Sequence, residues 1–352
     1  MLCHSSAILA ASKSINGIMA TGTTAPGSTA LVITFSSSPL AQGMRQQPQV
    51  TSIPKKTLSS RSTSEMYEPT QCLLFFRANL SVTCNGFDNA IMTQNNTPIG
   101  SNIVYSGEKK NTLQVNKDFF NLFLKENPFS NKQWDTCSVV GNGGILFDSG
   151  CGKMIDSADF VIRCNLPPLE NGYEKDVGSK TSLVTANPSI IFNKYGALTG
   201  RRLPFVEYLH KYGNSLLLLP AFSFSKNTAV CQRAAYTIED FKSPIRPVFS
   251  NAQYLDSLDQ FWSSKGLNER RLSTGFIMVS MALELCKNVH VYGFWPFSNH
   301  PYGLYTLTNH YYDDVPTKTF FHSMPAEFER LLQLHTEGVL RLHLGDCKTG
   351  DN

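Results

Sequence analysis

The sequence predicts an α/β protein built on a mostly parallel sheet, and three observations lead there. From about residue 66 strand-like apolar runs alternate with helical ones. Residues 137–165 read as strand, glycine-rich turn, short helix and second strand, a βαβ unit. Later apolar runs end at Pro or Gly, as expected of strands buried on both faces of a parallel sheet.

In order, Ser138-Val139-Val140 is a short buried strand, Gly141-Asn142-Gly143-Gly144 opens the turn, GKMIDSA is the helix and DFVIRCN returns as the second strand. SLVTANPSII, NSLLLLPAF and NVHVYGFWPF supply further strands. TGFIMVSMALELCKN spaces Ile277, Met281, Leu283 and Leu285 for a buried helix that begins just after Ser273-Thr274-Gly275, and another helix starts near Pro325. Residues 1–65, rich in Ser, Thr, Gly and Pro, read as a disordered or stem-like segment; 66–347 form the folded domain and 348–352 a short tail.

The chain has 352 residues, 41% hydrophobic, enough for one large or two modest cores. A net charge of +4 over this length excludes the basic stripe of a nucleic-acid binder and suits an anionic small substrate. Nine cysteines without a single CxxC pair disfavour a zinc ribbon or a thioredoxin-type site and favour disulfides. Two glycosylation sequons, at Asn79 and Asn95, agree with the cysteines in pointing to the secretory pathway. The apolar runs within residues 1–65 are too short to span a bilayer, so no anchor is visible.

A dinucleotide fingerprint would read GxGxxG, but Leu146 stands where the third glycine belongs, and no acidic ribose ligand follows at the customary distance. There is no GxxxxGK[ST] either. What remains is a glycine turn after a strand, whose N–H groups can meet a phosphate or a nucleoside, or simply pack.

Four ordered segments across roughly 190 residues resolve that choice. Gly141-Asn142-Gly143-Gly144 with Arg163-Cys164-Asn165-Leu166-Pro167-Pro168 resembles the large sialylmotif of animal sialyltransferases. RRLSTGFIMVSMALELCKNVHVYGFWPF (residues 270–297) resembles the small one, HYYD (310–313) motif III, and HSMPAE (322–327) the very small motif. NPSII, RLSTG and YGFWPF are most similar to the α2,8 branch, and there to members that form disialyl or short oligosialyl units. The resemblance implies a GT-A-like variant fold that transfers sialic acid from CMP-sialic acid, with inversion, to a sialylated glycan acceptor. A catalytically inactive CMP-sugar-binding or glycan-binding protein on the same fold is the alternative.

The chain lacks an Asp-x-Asp metal motif, so no metal or other cofactor is expected and protein donors must neutralise the leaving phosphate. Ser273, Thr274 and Gly275, at a helix N-terminus, suit that anion, and motif III assigns His310 as a second phosphate partner. By the very small motif His322 is the general base, with Glu327 orienting it or capping the helix. Asn142 and Asn165 are nucleotide contacts by resemblance, and Trp295 is placed to stack on substrate or to fill core.

The α2,8 branch implies disulfides Cys137–Cys286 and Cys151–Cys347, while Cys164 reads as a buried free thiol. Polysialylating members carry a strongly basic tract before the large motif; residues 108–137 here hold five lysines against four acidic groups, so mono- or oligosialylation is expected. By resemblance alone the protein belongs on the lumenal side of the Golgi membrane.

Overall fold

The computed structural model describes residues 69–130, 132–269, 271–316 and 324–347. The expected stem, the C-terminal tail and His322 lie outside the described residues.

The described chain enters through helix α1 (Pro69–Cys84) and the single turn α2 (Gly86–Asn89), then makes an antiparallel hairpin of β1 (Asn102–Tyr105) and β2 (Glu108–Gln114). Asn116 caps α3 (Lys117–Leu122) by accepting from the Phe119 N–H. From there strands and helices alternate: β3 (Trp134–Val140), α4 (Gly152–Asp156), β4 (Phe160–Arg163), α5 (Glu174–Val177), β5 (Leu183–Thr185), α6 (Pro188–Tyr195) and α7 (Arg202–Leu209). They continue with β6 (Leu216–Leu219), α8 (Ser225–Asp240), β7 (Arg246–Phe249), α9 (Ala252–Ser264), α10 (Thr274–Leu285), β8 (Cys286–Tyr292), α11 (Met324–Thr336) and β9 (Arg341–His343).

Seven of these strands form one sheet in the order β7-β6-β5-β4-β3-β8-β9, every neighbouring pair parallel. Successive side chains feed opposite layers: Leu216 and Leu218 enter the core shared with α9 and α10, Leu217 and Leu219 the core shared with α7 and α8. Connections leaving β3 step through β4 to β7, whereas β8 and β9 lie on its other side. The sheet therefore reverses between β3 and β8, the place where open α/β sheets bind ligands beyond the strand C-termini.

Two element boundaries differ from the sequence reading. The strand expected to run through NPSII stops at Thr185. Pro188 cannot donate to a sheet ladder, and its fixed φ suits the opening position of α6. The helix expected to include CKN stops at Leu285, and Cys286 begins β8 directly.

Cys137 in β3 is joined to Cys286 in β8, and Cys151 to Cys347. These close loops of 149 and 196 residues, each worth about 5 kcal/mol on the chain-entropy account. Cys84, Cys164 and Cys231 are free and buried, and burial pushes each thiol up to about 12. Cys164 sits one residue past β4 rather than inside it. Among the described residues no helix is long and apolar enough to cross a membrane.

At the end of β4 the Arg163 side chain is wholly buried. Its guanidinium donates to the carbonyls of Val177 (2.7 Å) and Lys180 (2.8 Å) and to Thr181 Oγ1, with Asp156 Oδ1 at 3.4 Å as counter-ion. The segment after α5 is thereby tied to the strand that leads into Asn165. Arg163→Leu should cost about 3–5 kcal/mol, because the Val177 and Lys180 carbonyls and the Thr181 hydroxyl lose their donor together and Asp156 its counter-ion. An unfolding free energy from urea titration within about 0.5 kcal/mol of wild type would show that water replaces the guanidinium.

Candidate active site

The C-terminal ends of β3 and β8 meet almost backbone to backbone. Gly141 N–H donates to the Tyr292 carbonyl at 2.8 Å and Gly143 N–H to the Gly293 carbonyl at 3.0 Å. A Cβ at either Gly141 or Gly143 would come within 2.7 Å of the Gly293 oxygen. Gly293 itself has φ +73°, and Leu146 packs beneath it, 2.6 Å from where its Cβ would lie. Leu146, the residue that breaks the dinucleotide fingerprint, thus fills the floor of the turn.

Asn142 links three segments of this crevice. Its Nδ2 donates to the Cys164 carbonyl at 2.8 Å, and its own carbonyl accepts from the Tyr311 N–H at 2.9 Å. Its Oδ1 is buried without a hydrogen-bond partner among the described residues. A buried acceptor left unpaired costs about 1–3 kcal/mol, so this oxygen is a ready contact for an incoming donor group.

Asn165 adopts a left-handed φ of +65°, which Asn tolerates better than most residues. Its Oδ1 accepts from the Asn187 N–H at 3.0 Å, and Asn187 Oδ1 accepts from Thr274 Oγ1 at 3.1 Å. Asn165 therefore anchors a polar chain between the β4 and α10 turns. Asn187 was not among the residues singled out, although an Asn-Pro pair at a strand end marks a turn donor and a helix start.

Ser273 is buried and caps α10, its Oγ accepting from the Phe276 N–H at 3.1 Å. Its own N–H donates to Glu327 Oε1 at 2.6 Å. With the Ser273 hydroxyl spent on the cap and that of Thr274 on Asn187, the donors left at this helix start are the N–H groups of Thr274 and Gly275. A Cβ on Gly275 would strike the Phe294 ring at 2.7 Å. Glu327, in the first turn of α11, is 3% exposed; burial raises its carboxyl to about 7 although the Ser273 hydrogen bonds pull the other way. The carboxylate thus secures the Ser273 turn.

His310 shares a proton between Nδ1 and Asp313 Oδ2 at 2.6 Å, and its N–H donates to Asp313 Oδ1 at 3.1 Å. The ring stacks on Tyr312 with centroids 5.1 Å apart, and Asn309 Nδ2 lies 3.2 Å from Nε2. With Nδ1–H donated to the carboxylate, the neutral ring presents Nε2 as an acceptor facing the Asn309 amide. Thr308, just upstream, presses on the glycine turn: a Cβ on Gly144 would sit 2.3 Å from the Thr308 carbonyl.

Trp295 donates Nε1–H to the Asn299 carbonyl at 2.7 Å and meets Phe297 and Phe328 edge-on. Its contacts are those of a packing residue. Of the two sequons, Asn79 lies half-exposed within α1 and Asn95 on an exposed turn.

Residues 91–339 match the family model for glycosyltransferase family 29 (sialyltransferase). The chain is 46% identical to human alpha-2,8-sialyltransferase 8F over 273 residues, covering 78% of this chain and 68% of the relative. It is 44% identical to alpha-2,8-sialyltransferase 8E of Rattus norvegicus over 304 residues, 83% and 81% of the two chains. It is 43% identical to alpha-N-acetylneuraminide alpha-2,8-sialyltransferase of Bos taurus over 273 residues, 78% and 76%. A crystal structure of a mammalian sialyltransferase aligns over 63% of this chain and 72% of that one, with a TM-score of 0.43 and 24% identity. With nearly three quarters of its length matched by the family model and relatives above 40% identity, the chain belongs to glycosyltransferase family 29, the sialyltransferases.

Proposed function

We propose that this protein transfers sialic acid from CMP-sialic acid, with inversion, to the 8-hydroxyl of a terminal sialic acid. The products are α2,8-disialyl or short oligosialyl units on glycoproteins, O-linked glycans foremost, or on glycolipids. The observation that carries this reading is the meeting of Asn142, Asn165, the Ser273-Thr274-Gly275 turn and the His310 segment around one reversal of the sheet, in a chain whose relatives are named alpha-2,8-sialyltransferases. Buried disulfides and exposed Asn95 fit delivery to the Golgi lumen, where the protein would work at the membrane.

The chemistry asks little of the leaving group. As the bond from the anomeric carbon to the CMP phosphate breaks, negative charge gathers on phosphate and positive charge on the sugar. The Thr274 and Gly275 N–H groups at the start of α10 supply donors to that phosphate without a divalent cation, and His310 adds a donor at Nε2 in its doubly protonated form, with Asp313 holding Nδ1–H. Asn142 Oδ1 receives a donor from the nucleotide. The acceptor's 8-hydroxyl attacks the opposite face of the anomeric carbon and surrenders its proton to His322, which the very small motif assigns as base. Glu327, five residues along, acts through the Ser273 turn as a positioning residue.

Purified protein given CMP-sialic acid and α2,3-sialyllactose should release an α2,8-disialyl product at a rate unchanged by chelator. His322→Ala should lower kcat by about 10²- to 10⁴-fold. An unchanged kcat would remove His322 from the mechanism. Product chains should stay short, and mass spectrometry showing long α2,8 polymers would contradict the weak charge bias of residues 108–137.

Glu327 makes a separate prediction. Glu327→Ala orphans the buried Ser273 N–H and should cost about 1–3 kcal/mol, whereas Glu327→Gln retains an acceptor and much of the activity. Because the folded carboxyl titrates near 7 instead of 4.5, the folded chain keeps a proton that the unfolded chain has already released between those values. This group's share of stability is complete below pH 4.5 and lost as the pH climbs to about 7. Melting curves of Glu327→Gln against wild type should show a shallower fall over that window; parallel curves would mean Glu327 titrates normally.

A further inference from the structure

Beyond the donor crevice, α6 and α7 enclose a pocket of about 350 Å³ lined by Lys194, Tyr195, Arg201, Pro204 and Tyr208. That volume is within the range of small-molecule sites. The charge in it is one-sided. Lys194 Nζ lies 3.8 Å from the centroid of the Tyr208 ring, and Lys211 Nζ lies 4.1 Å from the same centroid. Lys211, with a side chain 10% exposed, is paired with Glu170 at 3.0 Å. Neither Lys194 nor Arg201 has an ion-pair partner among the described residues. Arg201 Nη1 donates to the Lys194 carbonyl at 3.1 Å, which holds the guanidinium against the end of α6.

The pocket is wired to the crevice. The Tyr208 hydroxyl donates to the carbonyl of Leu166, the residue after Asn165, at 3.2 Å, and Tyr212 donates to the next carbonyl, that of Pro167. Helix α6 starts beside Asn187, the link between Asn165 and Thr274, and carries Lys194 near its far end, about 10 Å away at 1.5 Å per residue.

We propose that this pocket binds the carboxylate of the acceptor's terminal sialic acid, through Lys194 and Arg201, with Tyr195 and Tyr208 against the sugar. The inference rests on the α2,8-transferase reading above and adds to it the residues that recognise the acceptor. An α2,8 acceptor differs from an ordinary sugar by carrying a carboxylate on its anomeric carbon, across the ring oxygen from the glycerol side chain that bears the 8-hydroxyl. Gripping the carboxylate therefore fixes the sugar's orientation, and the contact through Leu166 ties the pocket to the crevice. Two cations that line one pocket and have no counter-ion among the described residues gain most from such an anion.

The test pairs substrate and protein changes. With wild type, replacing α2,3-sialyllactose by its methyl ester should raise the acceptor KM about 10- to 100-fold. The double variant Lys194→Gln, Arg201→Gln should show a similar rise with the free acid and little further change with the ester, while Lys194→Arg restores much of the affinity. Melting temperatures of the variants show whether each is folded, and the ester comparison on wild type is independent of any substitution. An acceptor KM that neither the ester nor the double variant alters overturns the pocket. A rise confined to the KM for CMP-sialic acid also overturns it, since the pocket would then serve the donor. The transferase reading fails separately, if wild type neither binds CMP nor transfers sialic acid, and it takes the acceptor assignment with it.

Discussion

The contact on which the rest depends is the approach of two backbones at the reversal of the sheet. Gly141 and Gly143 donate to consecutive carbonyls, Tyr292 and Gly293, and no side chain larger than hydrogen fits between them. That closeness sets the level of β3 against β8, and with it the relative height of the turns that follow each strand. The Cys137–Cys286 disulfide joins the same two strands, so the junction is covalently held as well. A misplacement of about 1 Å between groups that share one substrate can cost on the order of 100-fold in rate, which is reason enough for such redundancy.

Around this junction the crevice is assembled by side chains that hold backbone rather than by side chains that point into solvent. Asn142 binds the carbonyl before Asn165 and the N–H of Tyr311; Asn165 binds Asn187, which binds Thr274; Glu327 binds the N–H of Ser273. The links join segments that are far apart in the chain, within the large motif and between it and the others. In a buried setting each such bond is stronger than in water and its loss more costly, so the segments are held as one unit. A family pattern written as separate short motifs is, in three dimensions, one network.

Much of this was legible in the chain. Alternating apolar runs foretold the parallel sheet, because strands buried on both faces need no polar side, and the glycine turn with the three motifs that follow it located the crevice. The misses share a cause. NPSII was read as strand because it is apolar, although Pro188 overrides that pattern by removing a ladder donor and opening a helix. Asn187 and the partner of Glu327 were invisible because hydrogen bonds between segments distant in sequence leave no spacing to read. Arg163 was legible as part of a motif but not as a wholly buried cation, since a charged residue beside a strand is ordinarily assigned to its surface.

Helix α10 gathers these constraints. Its N-terminus is the Ser273 turn, secured by Glu327, and near its C-terminus Glu284 is 3% exposed, accepting from the Gly86 N–H at 2.6 Å and the Tyr254 hydroxyl at 2.8 Å. A carboxylate beside a helix C-terminus meets the negative end of the macrodipole, and burial raises Glu284, like Glu327, to about 7. Both groups accept hydrogen bonds whether or not they carry a proton, but burying the charged form costs more. Both therefore add to stability on the acid side of neutrality and lose that share as the pH rises to about 7. The helix whose N-terminus is proposed to meet the nucleotide phosphate is thus braced at either end by a carboxyl group, and this bracing is firmest in mild acid.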